Sequence, residues 1–234
     1  MLQFSDFDTR GYRTVDVATG YGRWVGTYEE TVEDAMDLAL LDELAVPRWG
    51  EVRRAADLGC GTGRTAAWLR RHGVGAIDGV DLTPEMLEVA RSKGVHDRLF
   101  EGDVRETGLE PGGYDLVIAS LIDEHLPALR PFYDEAWRLA APGAICAVVA
   151  FHPHFIMVSG MPTHFTDGAS GEHIAISTHV HLLSDHVTAG LAAGWRLVEM
   201  REGVIDERWL ALKPKWEKYR NHPISAALAW RKDG

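Results

Sequence analysis

The sequence predicts an α/β protein built on a doubly wound, mostly parallel sheet. Three observations carry that expectation. From residue 53 onward, short apolar runs alternate with segments of helical period. The runs 114–119 and 144–151 are apolar almost throughout, as strands covered on both faces must be. Between the first run and the first helix lies Asp57-Leu58-Gly59-Cys60-Gly61-Thr62-Gly63, with glycine at every second position. Glycine permits left-handed backbone and close approach of a ligand. The helix N-terminus that follows offers unpaired N–H groups and a positive dipole end. Such an elbow receives a nucleotide-like ligand.

The elements follow in order. Residues 1–28 hold Phe4, Phe7, Tyr12, Tyr21, Trp24 and Tyr28 without a clear period. Residues 31–46 have a helical period, opened by Thr31 and Asp34 as a capping box and closed by Pro47 and Gly50. Residues 1–50 therefore read as a helical, aromatic N-terminal lid, over the site or simply packed on the sheet. A strand at 55–58 feeds a helix at 64–72, and 77–81 is the next strand. Thr83 caps a helix with Pro84 at its first position, which runs to Lys93 and stops at Gly94. Strands follow at 98–101 and 114–119, then a helix at 131–140, the turn Pro142-Gly143 and a strand at 144–151. Residues 152–182 break the rhythm and read as an insertion over the site. A helix from Ser184 through Ala193 precedes two runs, 195–200 and 225–231, spaced for an antiparallel pair. No internal repeat or domain boundary appears, so 1–234 reads as a single domain.

Composition excludes several classes. The net charge is -11, which argues against a nucleic-acid partner and against an anionic membrane surface. No apolar run approaches the roughly 20 residues needed to span a bilayer. The N-terminus has no basic-then-apolar signal pattern. Cys60 and Cys146 make no disulfide framework and read as buried thiols of a cytoplasmic protein, monomeric or homodimeric.

The elbow's ligand can be narrowed. A dinucleotide fold wants G-x-G-x-x-G, whereas Gly59, Gly61 and Gly63 are evenly spaced and preceded by Asp57. A carboxylate there suits a cationic amino group better than a pyrophosphate. Asp81 ends the next strand, where an acid can accept from ribose hydroxyls. Gly102-Asp103 ends the third, where a carboxylate can accept from an adenine amino group. An adenosine joined to an amino acid fits all three, with a nicotinamide dinucleotide as the competing reading.

At this point the chain resembles the class I S-adenosylmethionine-dependent methyltransferases. The resemblance rests on Asp57–Gly63, on Val80-Asp81-Leu82-Thr83-Pro84-Glu85-Met86-Leu87, on Gly102-Asp103-Val104, on Tyr114-Asp115-Leu116-Val117 and on Arg138–Gly143. Ala144 stands where a second glycine is common. The resemblance covers residues 52–151 well. It implies a seven-stranded sheet with an antiparallel last strand, and S-adenosylmethionine as cofactor. It also implies Asp57 near the methionine moiety, Asp81 on the ribose, Leu82 on the adenine and Asp103 at the adenine amino group. Gly59, Cys60, Gly61, Gly63, Met86, Gly102, Val104 and Ser120 complete the expected cofactor wall, and Tyr21 would close it from the lid.

Methyl transfer from a sulfonium needs alignment above all. A base is needed only where the acceptor must lose a proton. The acceptor side lies beyond the strands at 114–119 and 144–151, which points to His125 first, then His152 and His154, then His164. The ordinary reading of His125 is a helix cap, and that of the other three a polar loop. Seven of the eleven histidines fall within 152–186, yet no two sit at i, i+4 on a predicted helix, and no metal is expected. The function that follows is methyl transfer to O, N or C of a small-molecule metabolite. The alternatives are a non-methylating reaction on the same fold or a cofactor-binding regulatory module.

Overall fold

A computed structural model describes residues 2–234. In chain order the elements are β1 (Arg13–Val15), α1 (Val17–Trp24), α2 (Tyr28–Thr31), α3 (Leu38–Asp42), β2 (Arg54–Leu58) and α4 (Arg64–Arg71). Then come β3 (Ala76–Asp81), α5 (Pro84–Lys93), β4 (Arg98–Glu101), β5 (Tyr114–Ser120), α6 (Arg130–Leu139) and β6 (Ala140–Phe151). The chain closes with α7 (Pro153–Ser159), β7 (His164–Thr166), β8 (His173–Ile176), α8 (Leu183–Ala192), β9 (Arg196–Val204), α9 (Glu207–Leu212) and β10 (Pro223–Arg231).

Seven strands form one sheet in the order β4-β3-β2-β5-β6-β10-β9. Strand β10 runs antiparallel to both β6 and β9, and the β2–β3, β2–β5, β3–β4 and β5–β6 pairs are parallel. The expected Rossmann-like sheet and its antiparallel last strand are both present.

Strand alternation divides the sheet into two cores. Ala56, Leu58, Val117, Ala119, Cys146, Val148, Leu228 and Trp230 face α6 and α8. Ala55, Leu116, Ile118, Ala147, Val149, Ala227 and Ala229 face α3 and α4. Trp230 is fully buried and meets Tyr133 edge-on at 5.5 Å between ring centroids. A Cβ on Gly190 would lie 2.7 Å from the Trp230 ring, so glycine is what lets α8 close on the sheet. Both cysteines are free and buried, and burial pushes each thiol up. No described helix is long and apolar enough to cross a membrane.

Two expectations change. The helix expected over 31–46 breaks: α2 ends at Thr31 and α3 begins at Leu38. Asp37 is the cause, because it turns inward, buried, and caps Leu38 N at 2.8 Å. Helix α1, over a segment without a clear period, is started by Asp16, whose side chain accepts from Thr19 N at 2.9 Å. The insertion at 152–182 is also ordered. Its β8 pairs antiparallel with β7 and parallel with β1, so the lid and the insertion form one three-stranded roof.

Trp230→Ala is expected to cost about 3–5 kcal/mol of unfolding free energy, by the cavity it leaves beside Tyr133. Chemical denaturation of the full chain measures this.

Candidate active site

The carboxyl ends of β2, β3, β4 and β5 open into a cavity of about 530 Å³. That is where an open parallel sheet receives its ligand. The elbow after β2 forms its floor. Gly59 has φ +71°, and a Cβ there would sit 2.5 Å from Ile122 Cγ2, so no larger residue fits. Gly59 N and Cys60 N donate to Val80 O at 2.8 and 3.0 Å, which ties the elbow to β3. Gly61 has φ +50° and nothing within 4 Å of a Cβ position, so bare backbone faces the cavity.

Asp81 holds the two turns together. Its Oδ2 accepts from Gly61 N and its Oδ1 from Thr83 N, each at 2.8 Å. Burial raises this carboxyl above its ordinary value, against the pull of the two amides. Leu82, beside it, is a 46% exposed leucine on the cavity wall. Val104 and Met86 extend that apolar surface. Asp103 also lines the cavity and is held by Arg105, whose Nη2 lies 2.5 Å from Oδ2. The guanidinium lowers the Asp103 carboxyl. Ser120 lines the cavity too and donates to Asp37 Oδ2 at 2.9 Å. Asp37 in turn accepts from Arg64 Nη2 at 3.0 Å.

The roof comes from the lid and the insertion. Val15, Val17, Tyr21, Ser177 and His179 reach the cavity from above. His125, in a short turn after β5, is fixed from both sides. Its Nδ1 lies 2.8 Å from Ser177 O, which can only accept, so Nδ1 carries the proton. Its Nε2 therefore accepts from the Tyr21 hydroxyl, 2.8 Å away. Burial lowers His125 to about 4, so the ring is neutral. Burial raises the Tyr21 hydroxyl. The next residue back, Glu124, is buried and accepts from Thr163 Oγ1 at 2.6 Å.

Of the expected cofactor residues, the cavity brings together Tyr21, Gly59, Gly61, Asp81, Leu82, Met86, Asp103, Val104 and Ser120. Cys60, Gly63 and Gly102 support the turns from behind without lining it. Asp57 does not line the cavity. It lies beneath the elbow and meets His96 Nε2 at 3.1 Å, with both side chains almost fully buried. Alternation along β2 sends it to the face shared with Ala55, away from the cavity.

Three of the four candidate histidines are also displaced. The chain enters α7 directly after β6, and His152 becomes its cap, with Nδ1 accepting from His154 N at 3.1 Å. His152 Nε2 then meets Glu202 at 2.9 Å, and His154 meets His222 at 2.9 Å. His164 lies against Tyr12, 5.2 Å between ring centroids, on a second and smaller cavity. Asp37, Arg64 and Arg105 are site residues that sequence reasoning missed. Asp37 left one trace: a charge inside an apolar helical period. Among the described residues, no three His, Cys, Asp or Glu side chains converge to hold a metal ion.

Known proteins resemble this chain in sequence and in fold. A family described as a methyltransferase domain matches residues 56–148. An uncharacterized methyltransferase of Emericella nidulans is 30% identical over 190 residues, which is 69% of this chain and 65% of that protein. A trans-aconitate 2-methyltransferase of Rhizobium leguminosarum bv. trifolii is 31% identical over 53% of this chain and 49% of its own length. The chain thus spans about half to two thirds of the curated relatives it matches. An S-adenosylmethionine-dependent methyltransferase from Mesorhizobium loti shares the fold with a TM-score of 0.67 at 21% identity, covering 85% of this chain and 98% of that one.

His125 gives the site a signature in stability. Its folded pKa lies below the unfolded value of 6.5, so the unfolded chain binds the extra proton first as pH falls. The contribution is complete above pH 6.5 and is lost on the way down to about 4. Glu124, raised by burial, runs in the opposite sense and is common to native and variant. The stability gap between the native chain and His125→Gln is therefore expected to narrow by up to about 3 kcal/mol from pH 7 to pH 4. Urea unfolding across that range reads it.

Proposed function

Because the chain belongs to the class I S-adenosylmethionine-dependent methyltransferases, we propose that it methylates O, N or C of a small-molecule acceptor. The observation that carries this reading is the floor of the larger cavity: bare backbone at Gly61 beside the Asp81 carboxylate and the exposed Leu82. Those residues fit an adenosyl group. The backbone at Gly61 admits close approach, Asp81 is placed to accept from ribose hydroxyls, and Leu82 with Val104 offers apolar faces to a flat base. A volume of about 530 Å³ is within the range of small-molecule sites.

When bound, S-adenosylmethionine supplies an activated methyl group. The chain's own residues position and enclose. Asp81 and the elbow orient the nucleoside end. The roof excludes water, which strengthens polar interactions beneath it. Among the histidines proposed for catalysis, His125 is the one on this cavity, and its low basicity and doubly engaged ring suit it to aiming Tyr21. Asp57 supports the elbow through His96 and makes no contact with ligand in this reading.

The relatives' names support a small acceptor. Besides trans-aconitate, they include a malonyl-[acyl-carrier protein] O-methyltransferase of Pectobacterium atrosepticum. The net charge of -11 weighs against nucleic acid as acceptor. The two free thiols suit a reducing, cytoplasmic setting.

Asp81→Ala removes the ribose acceptor and unpins the elbow. It is expected to weaken S-adenosylhomocysteine binding about 10- to 100-fold, the size of a lost hydrogen bond to a charged group. Isothermal titration calorimetry measures it, and an unchanged affinity overturns the placement of the nucleoside.

A further inference from the structure

A second cavity of about 160 Å³ lies behind the first, and Tyr21, Tyr28 and Leu121 line both. Leu121 has φ +55°, a conformation that a branched side chain adopts only under constraint. Tyr21, Trp24, Tyr28, Phe151, Trp209 and Trp216 contribute to the walls. A dry cavity of about 150 Å³ holds benzene, so this space is the size of one six-membered ring. Aromatic walls favour a flat guest through edge and face contacts.

The cavity is also polar at two points. Six buried side-chain N or O atoms lack a hydrogen-bond partner among the described residues, and two of them belong to this lining: Glu124 Oε2 and Trp209 Nε1. Glu124 is 3% exposed and Trp209 4% exposed. The remaining four, on His96, Ser225, Trp230 and Arg231, lie on neither cavity. Buried polar groups are almost always satisfied, so two unpartnered polar atoms on residues of one small cavity point to a guest that satisfies them once their side chains turn to it.

We propose that this second cavity is the acceptor chamber, that it takes a single aromatic or heteroaromatic ring bearing an ionisable O–H or N–H, and that Glu124 removes that proton. The proposal rests on the methyltransferase reading and deepens it. Trp209 Nε1–H donates to a second polar atom of the ring system. The acceptor's O–H or N–H bond breaks and its proton passes to Glu124 Oε2. The electron pair left on O or N forms the bond to the methyl carbon, and the S–C pair stays on sulfur. His125 is unsuited to this role, since both its ring nitrogens are engaged. Thr163 holds Glu124 Oε1, and Oε2 has no hydrogen-bond partner.

The groups facing Glu124 are Asp123 on its own turn, His125 with Nε2 3.7 Å from Oε1, and Tyr21 from α1. His164 and the Lys213–Glu33 pair, 2.9 Å apart, share the cavity. Burial, with the Asp123 charge beside it, pushes Glu124 up to about 8. A base near the working pH is effective, and its ionisation gives a rate that rises with pH on the acid side of that value.

The test uses the full chain with S-adenosylmethionine, phenol and imidazole as ring acceptors, and a tricarboxylate as the non-aromatic arm. Glu124→Gln keeps the Thr163 contact and is expected to lower kcat for a ring acceptor by about 10²–10⁴-fold, with KM little changed and the rising pH limb lost. Trp209→Phe is expected to raise KM about tenfold, the size of one lost hydrogen bond. Phenol should also quench tryptophan fluorescence of the native chain saturably, a readout that needs neither turnover nor a folded variant. Methylation of the tricarboxylate with no phenol or imidazole binding overturns the proposal, and so does a Glu124→Gln enzyme with native kcat and pH profile. Calorimetry with S-adenosylhomocysteine on the native chain separates these results from a failure of the methyltransferase reading itself.

Discussion

The Asp81 carboxylate is the pin on which the site depends. Its two oxygens accept from the amides of Gly61 and Thr83, and so lock the elbow after β2 to the turn after β3. Without it, the elbow, with three positive-φ glycines in seven residues, would be tied to β3 only by the bonds of Gly59 N and Cys60 N to Val80 O. The cost is a carboxylate held in a buried place, which two charge-assisted amide bonds offset. The same bonds leave the edge of Asp81 at the cavity wall, so the structural pin also lines the cavity.

The roof solves a different problem. The C-terminal edge of a parallel sheet is open, and the chain closes it with two segments distant in sequence. Strand β1 comes from residue 13 and β8 from residue 173, and they meet in parallel register at Arg13 and Ile174. The Tyr21–His125–Ser177 chain joins lid, sheet turn and insertion through two bonds of 2.8 Å. A neutral histidine suits that position, because a charged one would be buried without a carboxylate in hydrogen-bond contact.

Much of this was legible before folding. The runs 114–119 and 144–151 read as apolar strands buried on both faces, and all five strands expected from 55 to 151 are present. The elbow was legible because left-handed turns restrict residue choice to glycine. Asp81, Leu82 and Asp103 follow strands directly, so their place on the cavity is set by topology. His152 and His154 also follow a strand, yet an immediate helix turns them toward β9 and the start of β10, where Glu202 and His222 meet them. A strand end specifies where the backbone goes, and the next element specifies where the side chain points.

By itself, the sequence determined the doubly wound sheet, the elbow and the residues at the ends of its strands, since these depend on local propensity and periods of two and 3.6. Only the tertiary structure decided that Asp57 faces His96, that Asp37 breaks a periodic helix to reach Arg64 and Ser120, and that Glu124 stands over a small aromatic chamber. Each of those depends on contacts between groups dozens of residues apart. Burial, which sets their charge and their partners, is a property of the packed whole.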